Sequence, residues 1–546
     1  MKKTKKTTSI LQALLALLLA SFMLHSCNQS NPNEFNVMDY GASGEKEQKA
    51  TEAIQSAIDA CHENGGGRVY FPPGDYLAGT IVMKDHVNIY LETGATLYAS
   101  QNTNDYKTEF KVIKKDDSGK KGKGETPVFI YAKDANNISI KGNGTIHGQA
   151  RRTYEPLKEV DGFIADITEN AREAGVEMKM YYKVPPFICM VFLESCEYVS
   201  IRDVSFIEST DWTLHFKWSD RIFIDNIYIE SSLEEGVNAD GIDIDGCHDV
   251  VVDNSIISTG DDAIVLKTTM TQPDYRSCEN ITVSNCVLTS TSTALKLGTE
   301  SYGDFKHITF NNCVIRNTNR GLSIVVRDGA TVDNVLFSNI TIETNRKHFN
   351  WWGNGDPIWL VLKKRRDNSK VGMIKNINFE NIIAHGQGTS KIEGFVGDEK
   401  DPAKSLEGIK LNNIKFYMYP EDYIDKRATH AFEAHDVKRL CLSDVQVFWE
   451  GDSIEPKWRN AFMFNDIKGL RIDKLCGTQA PTNKGVFMEY NNVEKSIIEH
   501  CSVFEGTTSF LKVRDSDKII LNDNYLSGAN KMIEKGSGNG TIKMMN

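Results

Sequence analysis

Beyond its first 26 residues the chain has no apolar run that approaches the ~18 residues of a membrane-spanning helix, so no later segment reads as a span. Positive charge is also short. Lys and Arg number 63 against 74 Asp and Glu, a net charge of −11. Such an acidic chain is a poor partner for nucleic acid, and none is expected. Nor is it tuned globally for a polyanion, so an acidic sugar would have to be held by local Arg or Lys. No Cys/His spacing resembles a zinc site, and neither metal nor cofactor is expected.

The N-terminus reads as a targeting segment. Lys2, Lys3, Lys5 and Lys6 precede an apolar stretch from Ile10 to Met23, too short for a comfortable span. It ends in Leu24-His25-Ser26-Cys27, which resembles the lipobox of bacterial lipoproteins. That implies a signal peptide over 1–26, export by the general secretory route, lipidation at Cys27 and a short tether over 27–33. The expected location is the bacterial cell envelope, periplasm or outer membrane, with membrane contact through the lipid alone. Loss of the segment removes four lysines and no acid, leaving a net charge of −15. Ten cysteines follow Cys27. Cys286 and Cys313 fall at equivalent repeat positions, as do Cys247 and Cys278. Stacked small side chains explain this without a bond, and pairing is not readable from sequence.

A length of 546 residues could hold three or four domains. An internal repeat argues for one. A polar residue, alternating aliphatics and then Asn or Asp recur from Asn137, Val199, Ile222, Val250, Ile281, Ile308, Val335, Ile377, Ile409 and Leu440, with weaker copies from Leu470, Ile497 and Ile519. Each unit reads as strand, polar turn, strand, and buries its apolar face only when stacked on its neighbours. The fold expected over 34–546 is therefore all-β, a single right-handed parallel β-helix. Asn at successive turns would form an amide ladder. Thr51 to His62 places Ile54, Ala57, Ile58 and Cys61 at helical spacing and ends at Gly65-Gly66-Gly67, a helical cap for the open N-terminal coil. Residues 101–126, 149–185 and 343–372 interrupt the repeat. Such insertions commonly wall a binding face.

Within the repeat, Asn238 to Lys267 reads N-A-D-G-I-D-I-D-G-C-H-D-V-V-V-D-N-S-I-I-S-T-G-D-D-A-I-V-L-K. Asp240 precedes the pair Asp261-Asp262 by 21 residues, about one coil. Residues one coil apart become neighbours about 4.8 Å along the axis. Three carboxylates so gathered repel, one pKa rises, and an acid and a base stand side by side. Hydrolysis of a glycosidic bond uses that arrangement. Asp and Gly are also ordinary turn residues, but the repeat context favours a site.

These motifs resemble glycoside hydrolase family 28, the polygalacturonase family, over roughly residues 34 to 340. The resemblance rests on F-N-V-M-D-Y-G-A-S-G, A-I-Q-S-A-I-D-A-C, G-G-G-R-V-Y-F-P-P-G-D-Y-L-A-G-T, I-S-I-K-G-N-G-T-I-H-G-Q, D-W-T-L-H, N-A-D-G-I-D and G-D-D-A-I. It implies a β-helix hydrolase that cleaves galacturonic acid linkages in pectin with inversion and without a metal. Carried over position by position, Asp261 is the general acid, while Asp240 and Asp262 activate the water. Inversion asks for carboxyl groups roughly 6.5–9.5 Å apart.

Two family motifs are altered. Ser292 stands where the His of G-H-G would fall, and Ser323 and Val325 replace the Arg and Lys of R-I-K. Lys267, Lys296, Arg320 and Arg327 are candidate replacements for holding a sugar carboxylate, Arg327 sharing strand parity with Ser323 and Val325. His215 and Glu300 are further candidate contacts. Trp351, Trp352 and Trp359 read as lying on the third insertion, where an indole face could stack on a sugar ring or pin the loop. Lys363-Lys364-Arg365-Arg366 could draw acidic glycan or be a solvated edge. The insertions favour a blocked cleft and exo action. Three other functions remain open. One is a glycosidase of the same fold acting on another plant or algal glycan. Another is a non-catalytic glycan-binding β-helix lipoprotein, against which the retained carboxylates argue. A lyase would need a calcium cluster and an arginine base, and no convincing set is present.

Overall fold

A computed structural model describes residues 33–112, 126–157, 162–178, 182–183, 186–271, 274–347, 353–451, 453–482 and 484–545. Alternating Val, Ile and Leu close into a continuous sheet of 39 strands, from Glu34–Asn36 to Ile542–Met545, parallel except where Lys111–Val112 pairs antiparallel with Thr126–Lys133. Three stacks of strands run along one axis. A typical coil contributes His248–Asp253 to the first stack, Ile256–Thr259 to the second and Ile264–Thr268 to the third.

The register follows the repeat. Val199, Ile222, Val250, Ile281, Ile308, Val335, Ile377, Ile409, Leu440 and Leu470 pair successively across the first stack. The copy begun at Ile497 is offset by one, while Ile519 returns to the row by pairing with Ser496. Ser496, not Ile497, follows Leu470, and Ile497 is 37% exposed. The dry core is more than aliphatic, since Phe310, Phe337 and Phe379 stack at 4.9 and 5.1 Å.

Asparagine makes the corner between the first two stacks. Asn254, Asn285, Asn312, Asn339, Asn381 and Asn413 all have φ between +51° and +55°. Asn tolerates this left-handed region better than most residues with a side chain. Its amide also bonds one coil back, Asn312 Nδ2 to Asn285 Oδ1 at 2.6 Å and Asn381 Nδ2 to Asn339 Oδ1 at 3.0 Å.

Helix Thr51–Glu63 caps the N-terminal coil, burying Ala53, Ile54, Ala57, Ile58 and Cys61. A second helix, Gly162–Glu173, lies in the second interruption. The third interruption is not all insertion. Strand Asp356–Leu362 belongs to the third stack and pairs with Arg320–Val326, which puts Trp359 on the body of the β-helix rather than on a loop. None of the ten described cysteines forms a disulfide, and eight of them are buried as small packing groups. No helix among the described residues is long and apolar enough to cross a membrane. Cys27 and the targeting segment lie outside the described residues, as do Trp351 and Trp352.

Candidate active site

The third stack carries the carboxylates on consecutive coils. Ile242–Asp245 pairs with Ile264–Thr268, bringing Asp240 opposite Asp262. Two glycines make the approach possible. A Cβ on Gly241 would meet the Ala263 carbonyl oxygen at 2.4 Å, and one on Gly260 would meet the Ser232 oxygen at 2.3 Å. Asn238, at φ +83°, turns its N–H onto Asp261 Oδ2 at 3.1 Å. The Asp262 N–H donates to Asp261 Oδ1 at 2.9 Å.

One oxygen from each of Asp240, Asp261 and Asp262 lies within 4.8 Å of the others. The gap of roughly 6.5–9.5 Å expected for inversion is one between whole carboxyl groups, whereas these are single oxygens that face one another. Adjacent coils set the spacing, and two lysines offset the repulsion. Lys267 Nζ lies 2.8 Å from Asp240 Oδ2 and 2.6 Å from Asp243 Oδ1, and 3.6 Å from the Trp212 ring centre. Lys296 Nζ lies 2.6 Å from Asp262 Oδ2. A divalent cation could also fit three such oxygens, but here the lysines supply the positive charge at Asp240 and Asp262.

The carboxyls are not equivalent. Asp262 accepts from Lys296, from Ser292 Oγ at 2.8 Å and from the Thr293 N–H at 3.2 Å. Asp261 is partly exposed and has no ion pair among the described residues. Its removal from bulk water, and then the charge of Asp262, push its pKa up to about 6. Burial also pushes Asp240 upward, against the pull of Lys267. Asp240 Oδ1 is buried with no hydrogen-bond partner among the described residues. Lys267 is itself buried, which opposes its charge, but Asp240 and Asp243 hold it firmly protonated.

The remaining candidates divide. Ser292, at the altered G-H-G position, donates to Asp262 Oδ1 at 2.8 Å, and its hydroxyl also draws the Asp261 pKa down against the effect of burial. His215 is buried, with Nε2 3.2 Å from Asp245 Oδ2 and its ring 4.7 Å from both Phe192 and Trp212, a supporting place behind the site. Arg320 is buried, 3.0 Å from Asp356 and 3.8 Å from the Trp359 ring centre. Lys267, Lys296 and Arg320 are thus committed to protein carboxylates. Glu300 contacts Arg365 at 3.4 Å. Burial raises its pKa, but Arg365, Lys267 and Lys296 outweigh this and hold it down at about 2. Arg327 is half-buried and stands across from Lys363 on the next coil, since Val326 pairs with Leu362. Neither Arg327 nor Lys363 has an ion pair among the described residues. Ser323 faces Trp359, whose Nε1 donates to Glu393 at 3.2 Å.

Asp243, Asp245, Trp212 and Lys217 complete the supports and were not singled out in the sequence. Asp243 and Asp245 share strand parity in D-G-I-D-I-D, and that signal was available. Asp245 is buried, yet Lys217, His215 and Thr269 bring its pKa well below the usual carboxylate range.

A three-carboxylate site on one sheet of a right-handed parallel β-helix defines the class as a β-helix glycoside hydrolase. The chain belongs to glycosyl hydrolases family 28, whose model matches residues 61–349. It is 27% identical over 260 residues to an exo-poly-alpha-D-galacturonosidase of Dickeya chrysanthemi, the match covering 43% of this chain and 42% of that enzyme. The chain therefore spans less than half the length of that relative. In structure it resembles the Yersinia enterocolitica family 28 exopolygalacturonase (TM-score 0.59, 20% identity, 81% of this chain and 79% of that one). It also resembles an exopolygalacturonase from Thermotoga maritima (TM-score 0.56, 20% identity, 78% and 93%). At that identity the two structures speak for the fold.

Proposed function

We propose that the protein is an exo-acting, inverting hydrolase of galacturonic acid linkages in pectic oligosaccharides. The observation that carries the proposal is the inequality of the three carboxyls. Asp261, with its raised pKa and open surface, is the acid that protonates the leaving oxygen. Asp262, which accepts from three donors, is the base, and Asp240 Oδ1 helps to orient the water. Protonation of the glycosidic oxygen and attack by water on the opposite face then proceed together. Product stereochemistry tests the inverting route. Arg327 and Lys363 are the cations available for the sugar carboxylate. The exo reading draws support from the Dickeya relative.

The test is chromatography of products from a panel of pectic oligosaccharides, with NMR of the newly formed anomer. The parent is expected to release single galacturonic acid units with inverted configuration, and Asp261→Asn none. Release of longer fragments would refute exo action, and a retained anomer would refute inversion. Ser323 and Val325 in place of Arg and Lys favour a second reading, the same chemistry on another glycan. Turnover of a non-uronic substrate alone would establish it.

A further inference from the structure

A second concave surface lies on the second stack, away from the catalytic third. It is a groove of about 830 Å³ that runs from Val314 and Arg316 to Tyr419 and Ser453. Half of it is built from coils beyond the stretch matched by the family model. Glu343 and His385 line it and belong to one register row that continues through Tyr417 and Phe448. Their rings stack, His385 on Tyr417 at 4.6 Å and 6°, Tyr417 on Phe448 at 4.9 Å and 15°. The ladder stops at His385, because the next residue in the row is Glu343, and there the groove opens. Tyr419 stands beside His385 at 5.9 Å, tilted by 31°.

This face is unusual in what it leaves open. Val314 is 45%, Ile383 41% and Tyr419 36% exposed, with the coil of Thr341 between the first two. An exposed apolar patch rimmed by polar groups marks an interaction site. The polar groups here suit hydroxyls, since Gln387 Nε2 donates to Asp422 Oδ2 at 2.7 Å and presents an amide beside a carboxylate. The volume lies within the 300–1,000 Å³ typical of small-ligand sites, and the surface is concave where a protein interface would be broad. Among the described lining residues Glu343 and Asp422 outnumber Arg316, which disfavours a polyanion.

We propose that this groove is a second, non-catalytic glycan-binding site that takes uncharged sugar chains, with His385 and Tyr419 stacking on a sugar ring. It would let the protein hold a neutral portion of a branched glycan while the third stack works on another. The site stands on its own geometry and does not depend on the catalytic reading.

The test uses the full chain carrying Asp261→Asn, so that no probe is consumed. Calorimetry would follow binding of neutral galactan and arabinan tetrasaccharides and of tetragalacturonate. At least one neutral probe is expected to bind, to lose tenfold or more in affinity on His385→Ala/Tyr419→Ala, and to be uncompeted by tetragalacturonate. Tyr419→Ala alone, which leaves the ladder intact, should lose at least threefold, with an unchanged melting temperature as the check on folding. No binding of either neutral probe, binding indifferent to both variants, or competition by tetragalacturonate would overturn the proposal.

Discussion

Lys267 shows why single charges matter in this site. It lies between Asp240 and Asp243 and against the face of Trp212, all away from bulk water. A lone buried charge is costly, whereas a hydrogen-bonded set is tolerated. The sequence placed the three carboxylates correctly because coil spacing brings them together, and coil spacing is countable. It left the lysines ambiguous, because whether a Lys faces substrate or a neighbouring carboxylate depends on side-chain reach. Proton occupancy at Asp261 leads to a pH dependence. In the proposed role of general acid it must be protonated, and its pKa is raised to about 6. Activity is therefore expected to fall as pH rises through about 6. The sign for stability is the same. A carboxyl whose folded pKa exceeds its unfolded value binds its proton more tightly in the native state. Its contribution is complete below the unfolded value near 3.8 and is lost as pH rises through about 6. A pH–rate profile of kcat/KM should show a basic limb near 6, and Lys296→Met should move that limb upward by removing a cation that lowers the Asp261 pKa. A limb unaffected by this variant would mean that another group is the acid.

At the scale of the element, the asparagine corner combines two demands that few side chains meet together. The backbone needs φ near +52° at Asn312, and the amide bonds Asn285 on the coil before. The repeat pattern predicted the ladder, since Asn recurs at fixed offsets. It did not reveal the left-handed backbone that makes Asn, rather than Gln or Ser, the fitting residue. The two contributions can be separated. Asn312→Gly keeps the conformation and loses the amide bond, while Asn312→Ala loses both. A left-handed conformation costs a residue with a Cβ about 1–2 kcal/mol. In urea unfolding, the Ala variant is expected to be less stable than the Gly variant by roughly 1 kcal/mol, with Gly partly offset by its own entropy cost. Equal midpoints would mean the ladder bond, not the turn, dominates. Element boundaries were hardest to read where the repeat weakens. Strand Asp356–Leu362 follows a long polar segment and so looked like insertion, and the Ser496 coil slipped by one because Ile497 is an apolar residue on the outer face.

On the scale of the whole molecule, the charge of −11 and the local cations act over different distances. Pectic acid would meet a repulsive field far from the site and attraction only near Arg327 and Lys363. The Debye length is about 30 Å at 0.01 M salt and about 8 Å at 0.15 M. Added salt thus removes the distant repulsion first, while contacts inside the cleft, partly shielded from solvent, are screened less. For an acidic oligosaccharide kcat/KM is expected to rise between 0.01 and 0.15 M salt, mainly through KM. Arg327→Ala/Lys363→Ala should raise KM several-fold at every salt concentration and leave the slope in place. A neutral substrate should show little dependence on salt and little response to the double variant. A steep fall of kcat/KM with salt for the acidic substrate would instead mean that a cationic cleft governs encounter, and that the overall negative charge is irrelevant to how substrate arrives.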